Sequence, residues 1–190
     1  MMNKGLKIIF MGTPEFAQGI LTQIIESNHE ILAVVTAPDR PAGRGQKLRQ
    51  SAVKSYSLSK NIDVLQPEKL RDEVFIEILK KYNADIFVVV AFRMLPEVVW
   101  SIPPKGTINL HGSLLPNYRG AAPINWAIIN GEKTSGVTTF FINEKIDTGD
   151  IIKRSTVDIS ENMNAGQLHA LLMVDGAKLV LDTLDQIELD

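Results

Sequence analysis

The segment Asp85-Ile86-Phe87-Val88-Val89-Val90-Ala91 decides the fold class of this chain. Six consecutive apolar residues, three of them valines, follow one carboxylate. A strand with apolar side chains on both faces must be covered on both faces, which is typical of parallel sheets flanked by helices. We therefore predict a buried central strand over 85–91 in an α/β protein.

Shorter apolar runs on either side of this segment extend the pattern. We predict further strands over 6–11, 31–35, 63–65, 107–110, 137–142 and 151–157, and helices over 15–26, 51–60, 72–82, 123–130 and 164–187. Alternating strands and helices imply a doubly wound, mostly parallel sheet with helices on both faces. Thr13 is the predicted N-cap of the first helix, and Pro14 is its predicted first residue.

The ends of these strands indicate where a ligand would bind. Ligands of open α/β sheets bind beyond the carboxyl ends of the strands, where the strand order reverses. The positions that follow predicted strands are Gly12, Phe92, Asn109 and the loop after Ile142. We expect them to border one shared cleft.

The composition excludes several kinds of site. The 190 residues suit one domain, and the absence of cysteine excludes disulfides, thiolate ligands and cysteine nucleophiles. A formal net charge of −2 gives no overall attraction to nucleic acid, so such binding needs a local basic patch. The first apolar run is too short for a signal peptide or a membrane span, and we expect a cytoplasmic protein with no membrane partner.

Asn109 and His111 are the leading candidates for chemistry. They lie two residues apart near the end of a predicted strand, so their side chains share a face. An imidazole carries protons near neutral pH, and an amide donates a hydrogen bond to a developing oxyanion. The alternative is a histidine satisfied by a neighbouring carbonyl. The same-face amide and the turn over 113–116 favour the catalytic interpretation.

Asp147, within Ile146-Asp147-Thr148-Gly149-Asp150, has two interpretations. Asp, Thr and Gly together are typical of a turn. Alternatively, the fold brings the carboxylate beside His111, where it would orient the imidazole ring. Spacing alone does not decide between the two.

A cluster of positive charge lies between Asp39 and Arg49. Four cations fall in this segment: Arg40, Arg44, Lys47 and Arg49. The segment is either a solvated surface loop, the usual fate of a run of charge, or a basic arm that contacts phosphates. The residues alone support both interpretations equally.

Other patterns carry less weight. Gly12-Thr13-Pro14 lacks the further glycines of a dinucleotide fingerprint and is not a P-loop, so a structural turn is favoured. His29 and His169 have no ligand spacing around them, and we predict structural or surface roles for both and no metal site. A Gly-x-Ser-x-Gly motif is absent, which leaves hydrolysis by a serine nucleophile unsupported.

Several motifs match one family in order along the chain. They occupy residues 10–17, 39–45, 109–124, 136–138 and 147–150. The Asn-x-His, Ser-Leu-Leu-Pro and Asp-Thr-Gly elements resemble the wider formyltransferase family that uses 10-formyltetrahydrofolate. The Arg-Gly-Ala-Ala-Pro and Asp-Arg-Pro-Ala-Gly-Arg-Gly segments resemble its methionyl-tRNA formyltransferase branch.

The resemblance implies a Rossmann-like formyltransferase fold and a reaction. The α-amine of methionine on initiator tRNA would attack the formyl carbon of 10-formyltetrahydrofolate, with no metal and no covalent enzyme intermediate. His111 would stabilise the oxyanion and take part in proton transfer. Asn109 would hold the formyl oxygen, and Asp147 would support His111 and move protons through water.

The resemblance also implies two binding surfaces. The pterin ring would lie against the loops at 90–95 and 143–147. The expected folate contacts are Phe92, Arg93, Met94, Leu95, Ser113, Leu114, Leu115 and Pro116. The expected contacts to the tRNA acceptor end are Arg40, Arg44, Lys47 and Arg49.

Two departures from the family pattern bear on these expectations. The segment over 91–96 lacks the Tyr-Gly of many relatives and is one residue shorter. The family carries a further C-terminal, barrel-like domain that helps to hold tRNA, whereas residues 1–190 span the catalytic domain alone. We expect this chain to be monomeric, to bind folate, and to formylate tRNA poorly compared with a longer chain.

Two alternatives remain. One is a formyltransferase that acts on a small amine, such as glycinamide ribonucleotide or an amino sugar. The basic segment argues against it, because a small acceptor needs no such arm. The other is a non-catalytic nucleotide-binding domain that uses Gly12-Thr13-Pro14, for which nucleotide binding would survive loss of His111.

Overall fold

A seven-stranded sheet forms the centre of the computed structural model, which describes residues 5–42 and 47–189. The strands are β1 (Lys7–Gly12), β2 (Glu30–Val35), β3 (Arg40–Ala42), β4 (Lys47–Arg49), β5 (Asp63–Leu65), β6 (Ile86–Val90), β7 (Thr107–His111), β8 (Thr134–Phe141) and β9 (Ile151–Asp158). The helices are α1 (Glu15–Ile25), α2 (Ala52–Ser59), α3 (Glu73–Lys81), α4 (Glu97–Trp100), α5 (Pro123–Ile129) and α6 (Ala165–Leu189).

The strand order of the sheet is β5-β2-β1-β6-β7-β8-β9. The first five strands in this order run parallel, while β8 is antiparallel to β7 and β9 is antiparallel to β8. The chain extends the sheet from β1 to β2 and β5 on one side, then returns to add β6 and β7 on the other. The predicted doubly wound, mostly parallel sheet is confirmed, and its strand order reverses between β1 and β6.

The central strand β6 is buried on both faces, as its apolar sequence predicts. Each of its five residues is at most 2% exposed. Ile86, Val88 and Val90 pack in one core with α1 and α6, whereas Phe87 and Val89 pack in a second core with α3. Burial of each such side chain stabilises the fold by about 1.5–3 kcal/mol, so the two cores fix the strand ends in space.

The start of α1 differs from the prediction by one residue. Pro14 is the N-cap, with an extended ψ of 177°, and no side chain caps the helix. Thr13 is therefore not the cap. Its carbonyl oxygen instead accepts the Val53 N–H at 3.5 Å, which joins the end of β1 to α2.

Two short elements lie where the sequence predicts only loops. β3 and β4 pair antiparallel within the basic segment, and we call this pair the basic ribbon. The second element is the one-turn helix α4. Both are too short for a periodic pattern to reveal them, and Pro and Gly residues around the basic ribbon favour a loop prediction.

The long helix α6 packs across the sheet. Asn164 precedes it and caps it, because Asn164 Oδ1 accepts the Gln167 N–H at 3.0 Å and Gln167 Oε1 accepts the Asn164 N–H at 2.9 Å. Leu168 and Leu172 are fully buried, whereas Leu171 is 40% exposed. Within residues 5–42 and 47–189, no helix combines the length and the apolar character needed to cross a membrane.

Candidate active site

A cavity of about 770 Å³ lies at the carboxyl ends of the strands around the reversal of strand order. Its walls come mainly from residues within 91–95, 109–112, 120–125 and 140–147. Pro14 borders it beyond the end of β1. Segments after β1, β6 and β7 therefore meet at one site, as expected for parallel strands of this topology. The segment after β8 also borders the site, although β8 runs antiparallel to β7.

Asn109 and His111 line this cavity from β7. Ile108 and Leu110, which alternate with them along the strand, pack in the core shared by α1 and α6. Asn109 is half-buried and His111 is 8% exposed. The strand ends at His111, one residue beyond the predicted boundary, so the backbone of the sheet holds the imidazole in position.

Both ring nitrogens of His111 face hydrogen-bond acceptors. Nε2 lies 2.8 Å from the carbonyl oxygen of Tyr118, and Nδ1 lies 3.6 Å from Oδ2 of Asp147. A carbonyl oxygen only accepts, so Nε2 carries the proton in the neutral ring. Nδ1 is then the unprotonated nitrogen of the neutral ring, on the side of the carboxylate.

Asp147 is held by the segment that follows Tyr118. Its Oδ2 accepts the Gly120 N–H at 2.8 Å, and its backbone carbonyl accepts a hydrogen bond from Arg119 Nε at 2.8 Å. Its backbone is left-handed, with φ +50°, a conformation that Asp adopts more readily than most residues. Asp147 is thus a turn residue and also the carboxylate beside His111, so the two interpretations of the sequence are compatible.

Gly149 sets how closely this turn approaches the sheet. A Cβ atom on Gly149 would lie 1.6 Å from the carbonyl oxygen of Phe141, so no larger residue fits. The Phe141 N–H donates to the Asp150 carbonyl at 2.9 Å. The turn therefore closes directly on the end of β8, two residues after Asp147.

The four expected folate contacts after β6 all line the cavity: Phe92, Arg93, Met94 and Leu95. Leu95 is buried in the second core, whereas Met94 is 63% exposed. The Arg93 guanidinium donates to the carbonyl oxygens of Pro67 and Glu68 at 2.8 and 3.1 Å. Partial burial, and to a lesser extent the nearby Arg40, lower the pKa of Arg93 from its usual range.

The other four expected folate contacts, Ser113, Leu114, Leu115 and Pro116, do not line the cavity. Ser113 and Leu115 are buried, and Thr138 of β8 ties their backbones together. Its hydroxyl donates to the Ser113 carbonyl at 2.7 Å and accepts the Leu115 N–H at 3.1 Å. Contact between these four residues and folate stays a prediction, and the observed hydrogen bonds of Ser113 and Leu115 fix the turn after β7.

The basic ribbon presents its described arginines to solvent. Arg40 and Arg49 are exposed and are partners in the β3–β4 pair. Arg44 lies outside the described residues, and so does the side chain of Lys47. The fold therefore leaves two of the four predicted tRNA contacts accessible for an anionic partner.

Asp39 anchors the base of the basic ribbon. Its carboxylate accepts from Lys54 Nζ at 2.6 Å and from Gln66 Nε2 at 2.8 Å. These hydrogen bonds, that of Lys54 first, hold the pKa of Asp39 below its usual range. Lys54 is thereby engaged with Asp39.

A second cavity of about 670 Å³ lies between the basic ribbon and the first cavity. Arg40 and Arg49 line it together with Ser51, the N-cap of α2. Pro14 and His169 line both cavities. The two cavities are therefore neighbours, and both arginines lie on the side of the second cavity.

The comparison with known families agrees with this geometry. The sequence model of the formyl transferase family matches residues 6–184. This chain belongs to the formyl transferase family. Curated relatives of this chain are named methionyl-tRNA formyltransferase: that of Flavobacterium psychrophilum is 62% identical over 185 residues, and that of Bacteroides thetaiotaomicron is 53% identical over 187. The matches cover 97% and 98% of this chain but 58% of each relative, so the chain spans under two thirds of their length.

Solved structures similar to this chain carry another name. Phosphoribosylglycinamide formyltransferase from Bacillus halodurans superposes with a TM-score of 0.80 over 95% of this chain and 94% of that one, at 20% identity. The enzyme of that name from Anaplasma phagocytophilum gives a TM-score of 0.80 at 19% identity. At this identity the likeness establishes the fold alone, and the Rossmann-like formyltransferase fold is confirmed.

Two groups around the same cavity are not predicted from the sequence: the Tyr118 carbonyl and His169. The Tyr118 carbonyl binds His111, but a backbone group leaves no trace in a residue pattern. His169, predicted to be structural or at the surface, lines both cavities and meets Phe16 edge-to-face at 5.2 Å between ring centroids. The packing of α6 on the rest of the protein brings His169 to the cavities, and a residue pattern does not reveal this packing.

The third histidine has a structural role, as predicted. His29 is 5% exposed, and its Nδ1 accepts the Leu6 N–H at 3.1 Å. Asp185 and Glu188 of α6 lie close enough to share a cation with Nε2. The Leu6 hydrogen bond leaves the ring proton on Nε2, so this nitrogen is not free to ligate a metal.

Proposed function

We propose that this chain transfers the formyl group of 10-formyltetrahydrofolate to the α-amine of methionine on initiator tRNA. A bond forms between the amine nitrogen and the formyl carbon, and the bond from that carbon to N10 of the folate breaks. The proton lost by the amine goes to N10. The products are formylmethionyl-tRNA and tetrahydrofolate.

The observation that carries the proposal is the position of three polar side chains in one cavity. Asn109, His111 and Asp147 all line it, and Nδ1 of His111 faces the Asp147 carboxylate at 3.6 Å. Formyl transfer needs a donor for the developing oxyanion and a group that moves a proton between two nitrogens. We assign the first task to Asn109 and protonated His111, and the second to the His111–Asp147 pair.

The shape of the cavity supports a folate as the formyl donor. Flat, largely apolar walls suit an aromatic pterin ring, and Phe92, Leu95 and Ile142 supply such walls. The loops at 91–95 and 143–147 add backbone donors and acceptors that would orient the ring. In this arrangement the formyl group would lie towards Asn109 and His111, and much of the rate gain would come from positioning.

The basic ribbon supports an RNA acceptor over a small amine. Exposed Arg40 and Arg49 match the spaced phosphates of a nucleic acid, to which arginine donates paired hydrogen bonds. Both arginines line the second cavity, which shares Pro14 and His169 with the cavity that holds His111. The names of the relatives point the same way.

The test is a single-turnover assay with this chain, 10-formyltetrahydrofolate and methionyl initiator tRNA. We expect formylmethionine to appear together with an equal amount of tetrahydrofolate. Parallel reactions offer glycinamide ribonucleotide or an amino sugar as acceptor. Transfer to one of these amines but not to the tRNA would contradict the proposed acceptor.

Folate binding is measured separately by protein fluorescence. If the chain binds no folate, the proposed donor is wrong whatever the acceptor. The longer relative from Flavobacterium psychrophilum provides the reference activity.

A further inference from the structure

Tyr118 connects the candidate catalytic histidine to the far end of the following helix. We infer that Tyr118 is a positioning residue: its phenol anchors the loop whose carbonyl oxygen decides which nitrogen of His111 carries the proton. The kinetic part of this inference rests on the proposed function, whereas the proton position does not. The inference begins with the 2.8 Å contact between Nε2 of His111 and the Tyr118 carbonyl.

The backbone of Tyr118 needs an external support. Its φ is +55°, in the left-handed region that a bulky residue seldom occupies. Such a conformation costs on the order of 1–3 kcal/mol and persists only when surrounding contacts hold it. The carbonyl that faces His111 belongs to this residue, so whatever holds Tyr118 also holds the acceptor of Nε2.

The phenol supplies that support. Its hydroxyl donates to the Glu132 carboxylate and accepts a hydrogen bond from Asn130 Nδ2 at 3.0 Å. Both partners lie just beyond α5, which packs against α6. The side chain therefore ties the loop to the segment after α5, through residues that do not line the cavity.

The residues on both sides of Tyr118 are also held. Ser113 Oγ donates to the Asn117 carbonyl at 2.6 Å, and the Gly120 N–H donates to Asp147 Oδ2 at 2.8 Å. The tripeptide over 118–120 thus contacts both members of the His111–Asp147 pair. A displacement of Tyr118 would change the separation of the pair as well as the acceptor of Nε2.

The test observes the imidazole nitrogens directly by 15N NMR of histidine-labelled protein. The chain has three histidines, so His29→Gln and His169→Gln assign the His111 signals by elimination. In the unsubstituted protein we expect neutral His111 to be protonated on Nε2. In Tyr118→Phe we expect the fraction protonated on Nδ1 to rise about tenfold, the effect of losing one hydrogen bond.

Tyr82→Phe is the matched control. Tyr82 also donates its hydroxyl to a carboxylate, that of Asp63 at 3.0 Å, at the end of α3. We expect this variant to leave the His111 signals unchanged. If Tyr82→Phe and Tyr118→Phe shift the His111 signals equally, the shift is a general response to the loss of a tyrosine–carboxylate hydrogen bond. That result would overturn the inference.

Formyl transfer gives the second readout. For Tyr118→Phe we expect kcat to fall about tenfold while the KM for folate is unchanged, because Tyr118 positions the imidazole and does not itself line the cavity. Glu132→Ala removes the carboxylate that accepts the hydrogen bond of the Tyr118 hydroxyl. The fall in kcat for the double variant should therefore equal that for either single variant. Glu132→Ala also serves if Tyr118→Phe does not fold. Unchanged NMR signals and unchanged kcat in both variants would overturn the inference.

The two readouts separate this inference from the proposed function. If Tyr118→Phe shifts the His111 proton but no variant formylates tRNA, the positioning role stands and the proposed reaction fails. If formylation proceeds normally and the proton stays on Nε2 in every variant, the reaction stands and Tyr118 has no positioning role.

Discussion

Two polar segments of this protein differ in how their polar groups are used. The turn over 113–120, after β7, has its polar groups bound within the protein: Thr138 holds its start, and Tyr118 and Gly120 bind His111 and Asp147. At the basic ribbon, by contrast, the side-chain hydrogen bonds of Asp39 hold the base. The described arginines of the ribbon are exposed. The first segment fixes geometry, and the second offers charge.

The difference follows from the range of the forces involved. Proton transfer needs donor and acceptor within hydrogen-bonding distance, so the loop around His111 must be fixed. Attraction between arginine and phosphate acts over about 8–10 Å in physiological salt, so it tolerates imprecise placement. Substitutions in the first segment should therefore change the rate of transfer, and those in the second should change RNA affinity.

The largest effect is expected at His111. His111→Ala should lower the single-turnover rate of formyl transfer by about 10²–10⁴-fold, the usual contribution of a positioned acid or base. Folate binding, followed by fluorescence, should persist. His29→Ala is the control, since it should lower the melting temperature and leave the rate of the folded protein unchanged. Near-normal transfer by His111→Ala would refute the site assignment.

Thr138→Val tests whether the turn needs its internal bonds. Thr138 is fully buried, and the change leaves the Ser113 carbonyl and the Leu115 N–H without their partner. We expect a loss of about 1–3 kcal/mol in the free energy of unfolding, measured in urea, and a lower kcat. Thr139→Val is the matched control, because its hydroxyl is equally buried but bonds to Thr183 of α6. A fall in kcat for Thr139→Val as large as for Thr138→Val would show that stability alone is responsible.

The basic ribbon should respond to charge and to salt. Arg40→Gln and Arg49→Gln should each weaken tRNA binding and reduce the slope of log K against log salt by about one. Folate affinity should not change. Arg154→Gln, on the edge strand β9 at the other end of the sheet, is the control. An equal loss of tRNA binding in all three variants would argue against a specific contact at the ribbon.

The smallest effect is expected from the titration of Asp39. Its folded pKa is lowered, so its contribution to stability is complete above its ordinary pKa of about 4 and is lost as the pH falls through the lowered folded value. The side-chain amide signal of Gln66, bound to Asp39 Oδ1, should report this titration by NMR. An Asp39 that titrates at its ordinary pKa would show that the anchor with Lys54 is absent in solution.

The sequence predicts those features of the fold that depend on local pattern. The apolar run over 86–91 correctly indicates the central strand, and two-residue spacing correctly places Asn109 and His111 on one face. The antiparallel order of β8 and β9 leaves no local trace, because strand direction is decided by packing. The assigned roles of Asn109, His111 and Asp147 stay predictions until the variants are measured.

The missed parts of the site depend on backbone and on distance along the chain. The acceptor of Nε2 is the Tyr118 carbonyl, and every residue type has a carbonyl. Asp147 comes within reach of His111 through its own positive φ and the Gly120 N–H, which no spacing rule predicts. For Ser113–Pro116, motif resemblance predicts contact with the ligand, which stays a prediction. The structure adds that the hydrogen bonds of Ser113 and Leu115 fix the turn.

The close approach of Gly149 to Phe141 has a consequence for how the protein tolerates changes in length. The backbone touches the end of β8 at Gly149, and the Asp147 carboxylate lies two residues before that point. One inserted residue adds up to about 3.8 Å of chain, more than the 3.6 Å that separates Asp147 Oδ2 from His111 Nδ1. The number of residues between Asp147 and Gly149 therefore sets the distance from the carboxylate to the imidazole. We expect the protein to accept substitutions at position 148 more readily than any insertion or deletion.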